Sequence, residues 1–415
     1  MLKPESKLTP LEKYWILYDV GNSAFILLVS TIIPIYFKNI AAAEGISPAN
    51  STAYWGYAIS VSTLIVAILG PILGTLADTK GYKKPLFTML MMLGVIGCAA
   101  LSVNLSWLAF LFVFVAAKVG VSGSLIFYDA MLSDVTTDDR MDLLSSLGYA
   151  WGYIGSCIPF TISLAIILFA DKLYLTTGTA TKIAFLLNAL WWFAVTIPLY
   201  KNYKQIHYVE AERDALKIAF IRLKNTFKDI KNHKEIFTFL LAFFFYIDGV
   251  YTIIEMATSY GKDVGISDNS LLFALLLTQV VAFPFAMLFG KLSKKYKTKD
   301  LINISIIGYF LIAIFALQLD RAWEFWFLAV CVAMFQGAIQ ALSRSYFARI
   351  IPKEESSEYF GFYDIFGKGA SFTGAFLMGV TTQISGNSKT GVAFIALMFI
   401  IGYFVFNKAA KMHKI

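Results

Sequence analysis

The sequence predicts an all-α membrane protein, with twelve transmembrane helices in two pseudo-symmetric six-helix bundles. Three observations carry that prediction. Apolar residues make up 58% of the chain and charged ones 15%, where a soluble domain has about half and a quarter, and the apolar residues gather into twelve runs near the ~20 residues that cross a bilayer. The Lys and Arg residues sort by loop: 27 of the 35 fall in the gaps that share a side with the two termini. Six (Lys38, Lys172, Lys182, Lys262, Arg321, Lys389) fall on the other side, and Lys118 and Lys368 lie within runs. Finally, the second half of the chain repeats features of the first.

The runs lie near 14–37, 54–77, 85–104, 107–133, 144–170, 183–200, 236–260, 270–290, 300–319, 323–347, 359–383 and 391–407. An even number agrees with both termini lying on one side, and the positive excess makes that side cytoplasmic. The +8 net charge therefore implies no nucleic-acid partner. Aromatic residues such as Tyr54, Trp55, Tyr57, Trp323 and Trp326 suit interfacial belts. Cys98, Cys157 and Cys331 all sit within runs and read as packing residues. Residues 1–13 are polar and the first apolar run is long, so no cleavable signal peptide is visible.

The boundaries follow from the one long connection. Residues 1–200 form an N-terminal bundle, 201–235 a linker and 236–415 a C-terminal bundle. Within the linker Leu216, Ala219, Phe220, Leu223, Phe227 and Ile230 recur at helical spacing, alternating with Arg213, Lys217, Lys224, Lys228 and Lys231. This is an amphipathic basic helix, lying on the inner membrane surface or solvated as a connector. The repeat shows at three places in order. Span 2 ends in the Gly-led basic turn Gly74 to Lys84, and span 8 in Gly290 to Lys299. Gly123 and Gly148-Tyr149 answer to Gly337 and Gly361-Phe362. Tyr18-Asp19 in span 1 answers to Tyr246-Ile247-Asp248 in span 7. Duplicated halves are common in secondary transporters, which bind solute near the midplane between the repeats.

Ionisable groups at bilayer depth cost about 2.5–3.5 kcal/mol on insertion scales, so each asks for a function or a partner. Asp19 and Asn22 share a face of span 1. Asp248 and Glu255 share a face of span 7, with Tyr251 nearby. Lys118 and Asp129 lie near one face of span 4 but ~16 Å apart along the axis. Lys118 then needs Asp19 or a solute carboxylate as partner. Asp364 and Lys368 on span 11 are an i, i+4 pair with the acid first, structural or gating in role. Arg344 could bind a solute carboxylate bidentately or snorkel to the inner surface. His207, His233 and His413 all fall outside the runs, so proton coupling must use carboxylates, Asp19 and Asp248 first among them. Pro34, Pro159 and Pro284 interrupt spans 1, 5 and 8, and Gly148, Gly152 and Ser156 make a small-residue seam on span 5. No metal spacing, P-loop or complete nucleophile elbow occurs, which argues against an enzyme and against a cofactor.

Gly74-Thr75-Leu76-Ala77-Asp78-Thr79-Lys80-Gly81-Tyr82-Lys83-Lys84 resembles the G-x-L-A-D-x-x-G-[RK]-[RK] signature of the major facilitator superfamily. Tyr18 to Phe25, Gln340 to Ser345 and Gly361 to Lys368 narrow the resemblance to bacterial relatives of the fungal vacuolar effluxers, linked to amino-acid release in autophagy. The resemblance implies a major facilitator fold with a central cavity lined by spans 1 and 7, so that Asp19 and Asp248 face each other across it. It implies a latch between the halves, built on Gly70, Gly74, Asp78, Gly81, Lys83 and Lys84. The expected function is alternating-access export of an amino acid or another small polar solute, with protons and membrane lipids as the other partners, in a bacterial cytoplasmic membrane. The alternatives are transport of sugars or of amphipathic drugs, the latter if Phe243, Phe244, Phe245 and Tyr246 face the cavity, or lipid translocation.

Overall fold

The computed structural model describes residues 7–210, 221, 225, 233–263, 268–319, 321–385 and 388–412. The amphipathic stretch expected within 201–235 lies almost wholly outside the described residues. The chain opens with α1 (Pro10–Ser30) and α2 (Ile32–Ala43), bent 40° from each other. Thr9 starts α1 with a reciprocal capping box: its side chain accepts the Glu12 N–H, and Glu12 accepts the Thr9 N–H at 2.7 Å. Pro10 then occupies the first turn, where no N–H is needed. Pro34 explains the break. Its ring would strike the carbonyl of Ser30 in a continuous helix, and the helix stops there and restarts with Pro34 in the first turn of α2.

The other elements of the N-terminal half are α3 (Pro48–Ala77), α4 (Lys83–Ala100), α5 (Trp107–Ala130), the single turn α6 (Leu132–Val135), α7 (Met141–Leu168) and α8 (Thr177–Asn202). Ser47, Ser106 and Thr176 cap α3, α5 and α8, all at the face opposite the termini. The C-terminal half comprises α9 (Lys234–Asp263), α10 (Asp268–Leu292), α11 (Thr298–Ala316), α12 (Ala322–Ile350), α13 (Ser356–Ser385) and α14 (Ser388–Met412). Among the described residues ten helices are long and apolar enough to cross a membrane, and the bent α1–α2 pair makes an eleventh. The 30-residue α13 completes twelve rods. Contrary to expectation, Pro159 and Pro284 do not interrupt their spans, because α7 and α10 run straight through them.

Within the first half α1 packs on α7 and α8, and α5 lies between α3 and α4; within the second, α9 packs on α13 and α14, and α12 on α10 and α11. One contact repeats in both halves. The Tyr18 hydroxyl meets Ser124 at 2.7 Å between α1 and α5, and the Tyr246 hydroxyl meets Ser343 at 2.7 Å between α9 and α12. The halves meet chiefly where α3 lies against α13 and α7 against α10. Glycines set the first approach: a Cβ on Gly361 would stand 2.8 Å from the Pro71 nitrogen, and one on Gly74 would strike the Ser357 carbonyl. The aromatic run of span 7 is core, not cavity wall, at its key positions. Phe243 stacks on Tyr363 at 4.1 Å, and Tyr246 lies edge-on to Phe406, both fully packed.

Candidate functional site

Arg344 occupies the centre of the contact between halves. It belongs to α12, yet its guanidinium is buried among residues of α1, α5 and α7, with only 2% of the side chain exposed. Nη1 donates to Asp129 Oδ1 at 2.9 Å, Nε to Ser145 Oγ at 2.9 Å and Nη2 to the Ser145 carbonyl at 3.1 Å. Asp19 Oδ2 stands 3.8 Å away. Three rings surround the same group: Tyr149 at 4.5 Å, Trp15 at 4.8 Å and Tyr128 at 5.5 Å. A planar, always-charged fork suits this box as a lysine would not. The box is held rigid from outside. Trp15 stacks on Tyr128 at 4.3 Å and donates its indole N–H to the Tyr128 carbonyl, while Ser145 donates to the Ala341 carbonyl at 2.7 Å. Gly148 leaves the room required, since a Cβ there would lie 2.9 Å from both Asp19 Oδ2 and the Trp15 ring. The seam read on span 5 is real, with Gly152 closing on Ser23 of α1. Arg344 thus does not snorkel outward; its first partner is Asp129.

The signature turn makes a second set of cross-half contacts, on the face that carries the termini. Asp78 ends α3, and its two carboxylate oxygens accept the N–H groups of Ser357 and Glu358 at 2.9 Å each, capping the N-terminus of α13. Exposed helix N–H groups and the helix dipole both favour a negative charge there. Burial nevertheless pushes the Asp78 carboxyl up to about 7, against the pull of Lys83 and the two N–H donors. Lys83 is fully buried and links three elements, reaching Asp134 at 3.3 Å, Ser356 Oγ at 3.0 Å and Asp78 at 4.0 Å. Asp134 also accepts from Tyr203 at 2.5 Å and from the His207 backbone at 2.9 Å, with His207 Nδ1 at 3.0 Å. Burial raises this carboxyl, but Lys83, His207 and Tyr203 together outweigh it and hold it below the usual range. The chain at 203–210 is strapped over the turn: Val209 exchanges backbone hydrogen bonds with Asp78 and Lys80, and Gln205 accepts from Gly81. Gly81 has φ +83°, the left-handed conformation that suits glycine. Lys84 lies outside this cluster, over the Tyr200 ring. A third cross-half knot sits beside it. Arg349 of α12 grips Asp142 of α7 with two nitrogens at 2.8 and 3.0 Å, and Thr298 and Ser345 bond the same carboxylate.

The remaining sequence candidates divide. Asn22 is buried and donates to the Tyr18 carbonyl and toward Asp19. Asp364 and Lys368 do pair, at 2.6 Å. Lys118 is half-buried on α5, and Arg344 stands at Asp19. Asp248 does not face Asp19. It turns within its own half, accepting the Gly374 N–H of α13 at 2.9 Å and the Thr252 hydroxyl at 3.3 Å. The reason is that Gly374 has no side chain, so α13 presses its backbone directly onto that carboxylate. Tyr251 is half-buried beside Gly367. The side chain of Glu255 lies outside the described residues. Sequence reasoning missed Trp15, Tyr128, Tyr149 and Ser145 as one group, and Asp134 and Asp142 as network centres. The aromatic residues look like belt or core in a chain with 16% of them, and no local spacing joins α1, α5 and α7. No group of His, Cys, Asp and Glu able to hold a metal ion occurs among the described residues.

Comparison with known proteins places this geometry. Residues 12–414 match the family model described as vacuole effluxer Atg22 like. The chain is 45% identical over 401 residues to an uncharacterized MFS-type transporter, YxiO, of Bacillus subtilis, covering 95% of this chain and 94% of that one. It is 25% identical over 309 residues to autophagy-related protein 22 of Saccharomyces cerevisiae, covering 65% of this chain and 57% of the yeast protein. Among solved structures, the proton:xylose symporter XylE superposes with a TM-score of 0.72 at 13% identity, covering 96% of this chain and 94% of that chain. The human organic anion transporter MFSD10 gives 0.70 at 13% identity, covering 97% of this chain and 100% of that chain. These likenesses show the major facilitator fold, and the sequence relatives show a transporter, not an enzyme. The chain belongs to the vacuole effluxer Atg22-like family of major facilitator transporters.

Proposed function

We propose that the transporter moves a small polar solute, an amino acid, out of the cytoplasm by alternating access coupled to protons. The observation that carries this reading is Arg344. One half of the molecule inserts its guanidinium into an acidic, aromatic box of the other, 2.9 Å from Asp129. A buried ion pair that loses one partner leaves an uncompensated charge, at about 3–5 kcal/mol. The halves are therefore bistable about this contact: docked with the pair made, or apart with Asp19 and Asp129 discharged by protons or solute. In this proposal Asp19 and Asp129, steadied by Asn22, handle the proton. Lys118, Asp364, Lys368 and Tyr251 line the solute path, and Glu255 lies toward its outer end. Asp248 braces α9 on α13, the hinge side of the second half. Gly70, Gly74, Asp78, Gly81, Lys83 and Lys84 form the latch that holds the terminal face shut. The basic excess around both termini supports a cytoplasmic position for that face, in a bacterial inner membrane. The description of the family as effluxers supports export.

The test uses purified full-length protein in vesicles. Preloaded unlabelled amino acid should drive uptake of the labelled compound, and an imposed pH gradient should drive net flux. Counterflow of sugars with none of amino acids would contradict the solute class. Flux indifferent to the gradient would contradict the proton.

A further inference from the structure

We propose that the Arg344 box is a cation site, and that the transported amino acid bears an ammonium or guanidinium group on its side chain that takes Arg344's place in it. This rests on the transporter reading above and specifies its solute. Trp15, Asp19, Tyr128, Asp129, Ser145 and Tyr149 all stand on the first half, and the guanidinium they surround comes from the second. Any motion that parts the halves on the terminal face must withdraw the guanidinium and leave the box behind. What remains is two carboxylates, the hydroxyl and carbonyl of Ser145 and three ring faces around the place of a planar cation.

Each remaining part attracts the same chemistry. Ring faces within about 6 Å bind cations, more strongly when water is excluded. Carboxylates in a low-dielectric site require a counter-charge. Gly148 keeps the floor open, because any side chain there would reach Asp19 and Trp15. An anionic solute fits poorly: to meet Arg344 it would have to take the guanidinium from Asp129 and leave both carboxylates uncompensated. A neutral solute offers nothing to the box. The arrangement also gives a coupling rule. Solute cation and Arg344 exclude each other, so the terminal gate re-docks only once the solute has left, and the carrier should favour exchange over leak.

The experiment compares three labelled solutes in counterflow with the full chain in vesicles: arginine as the amino acid with a side-chain cation, leucine as the amino acid without one and succinate as the anion. Arginine should exchange at least about tenfold faster than the others, and Asp129→Asn should lower that exchange roughly tenfold or more, the worth of one charge-assisted hydrogen bond, at unchanged yield of folded protein. A second readout isolates the box. Ethylguanidinium should raise the thermal midpoint of Arg344→Ala and leave that of Arg344→Ala/Asp129→Asn unmoved. If Arg344→Ala does not fold, Arg344→Gln serves in both arms. Exchange of leucine or succinate without arginine would overturn the cation site and leave the transporter reading standing. Exchange of none of the three would count against both. An ethylguanidinium shift absent from the single variant, or equal in the double, would also overturn it.

Discussion

Arg344 shows how far single residues could be read. The sequence marked it, with Asp19 and Asp129, because charges at bilayer depth are costly. It does not say who pairs with whom: Lys118 reads as a partner of Asp19 or of a solute carboxylate, and Arg344, 3.8 Å away, stands at Asp19. Pairing across two halves depends on how far α12 enters the other bundle, and no spacing along the chain encodes that. Two outcomes follow at this scale. Arg344→Lys keeps the charge but cannot reach Asp129, the Ser145 hydroxyl and the Ser145 carbonyl together, so counterflow should fall about tenfold with normal folding. Wild-type rates would show that charge alone suffices. Gly148→Ala puts a methyl group 2.9 Å from Asp19 and Trp15. It should disable counterflow as severely as a substitution of Asp129 while leaving the helical content intact; unchanged transport would mean that α7 moves aside freely.

At the scale of elements, the helices are legible because apolar length is local. Their starts are set in the structure by caps at Thr9, Ser47 and Ser106. The prolines misled, because a helix in a packed bundle can absorb Pro159 or Pro284 without breaking, whereas Pro34 does coincide with a bend. Asp248 misled for a different reason. Its face on α9 was read by analogy with Asp19, but the neighbouring α13 brings a backbone N–H to it through Gly374. The close approach of α3 to α13 makes a sharp expectation. Gly74→Leu would collide with the Ser357 carbonyl and hold the two helices apart. The purified variant should be folded, should expose terminal-face cysteine probes to modification faster than wild type, and should fail in counterflow. Unaltered labelling together with normal transport would show that the contact is dispensable.

For the whole molecule, the twofold repeat was visible in three motifs and reappears as the Tyr–Ser bonds of 2.7 Å in each half. The resemblance points to Asp78 as a tie between the halves, and it caps the start of α13; the ties of Arg349 to Asp142 and of Arg344 in its box have no signal in the sequence. The buried Asp78 also predicts a response to pH. Its carboxyl stands at about 7 in the latched form and would return toward an ordinary ~3.9 once wetted. The form with the raised value binds the extra proton, so latching is favoured as the pH on that face falls from about 7 toward 4, and is least favoured above 7. Asp78→Asn removes that titration and sets an amide N–H against one of the two helix N–H donors, at a cost to the latch of about 2 kcal/mol. Its latch should be looser than wild type at low pH and flat with pH. A variant that kept the wild-type profile would assign the titration elsewhere.

The rocking of two rigid halves about the Arg344 contact is tested most directly by paired distances. Spin labels at Thr137 and Glu354 report the terminal face, and labels at Lys172 and Ile384 the opposite face, all four sites being exposed. In a background freed of Cys98, Cys157 and Cys331, Arg344→Ala should lengthen the first distance and shorten the second relative to the same protein with Arg344 intact. Distances that lengthen together, or that do not change, would contradict alternating access in this molecule.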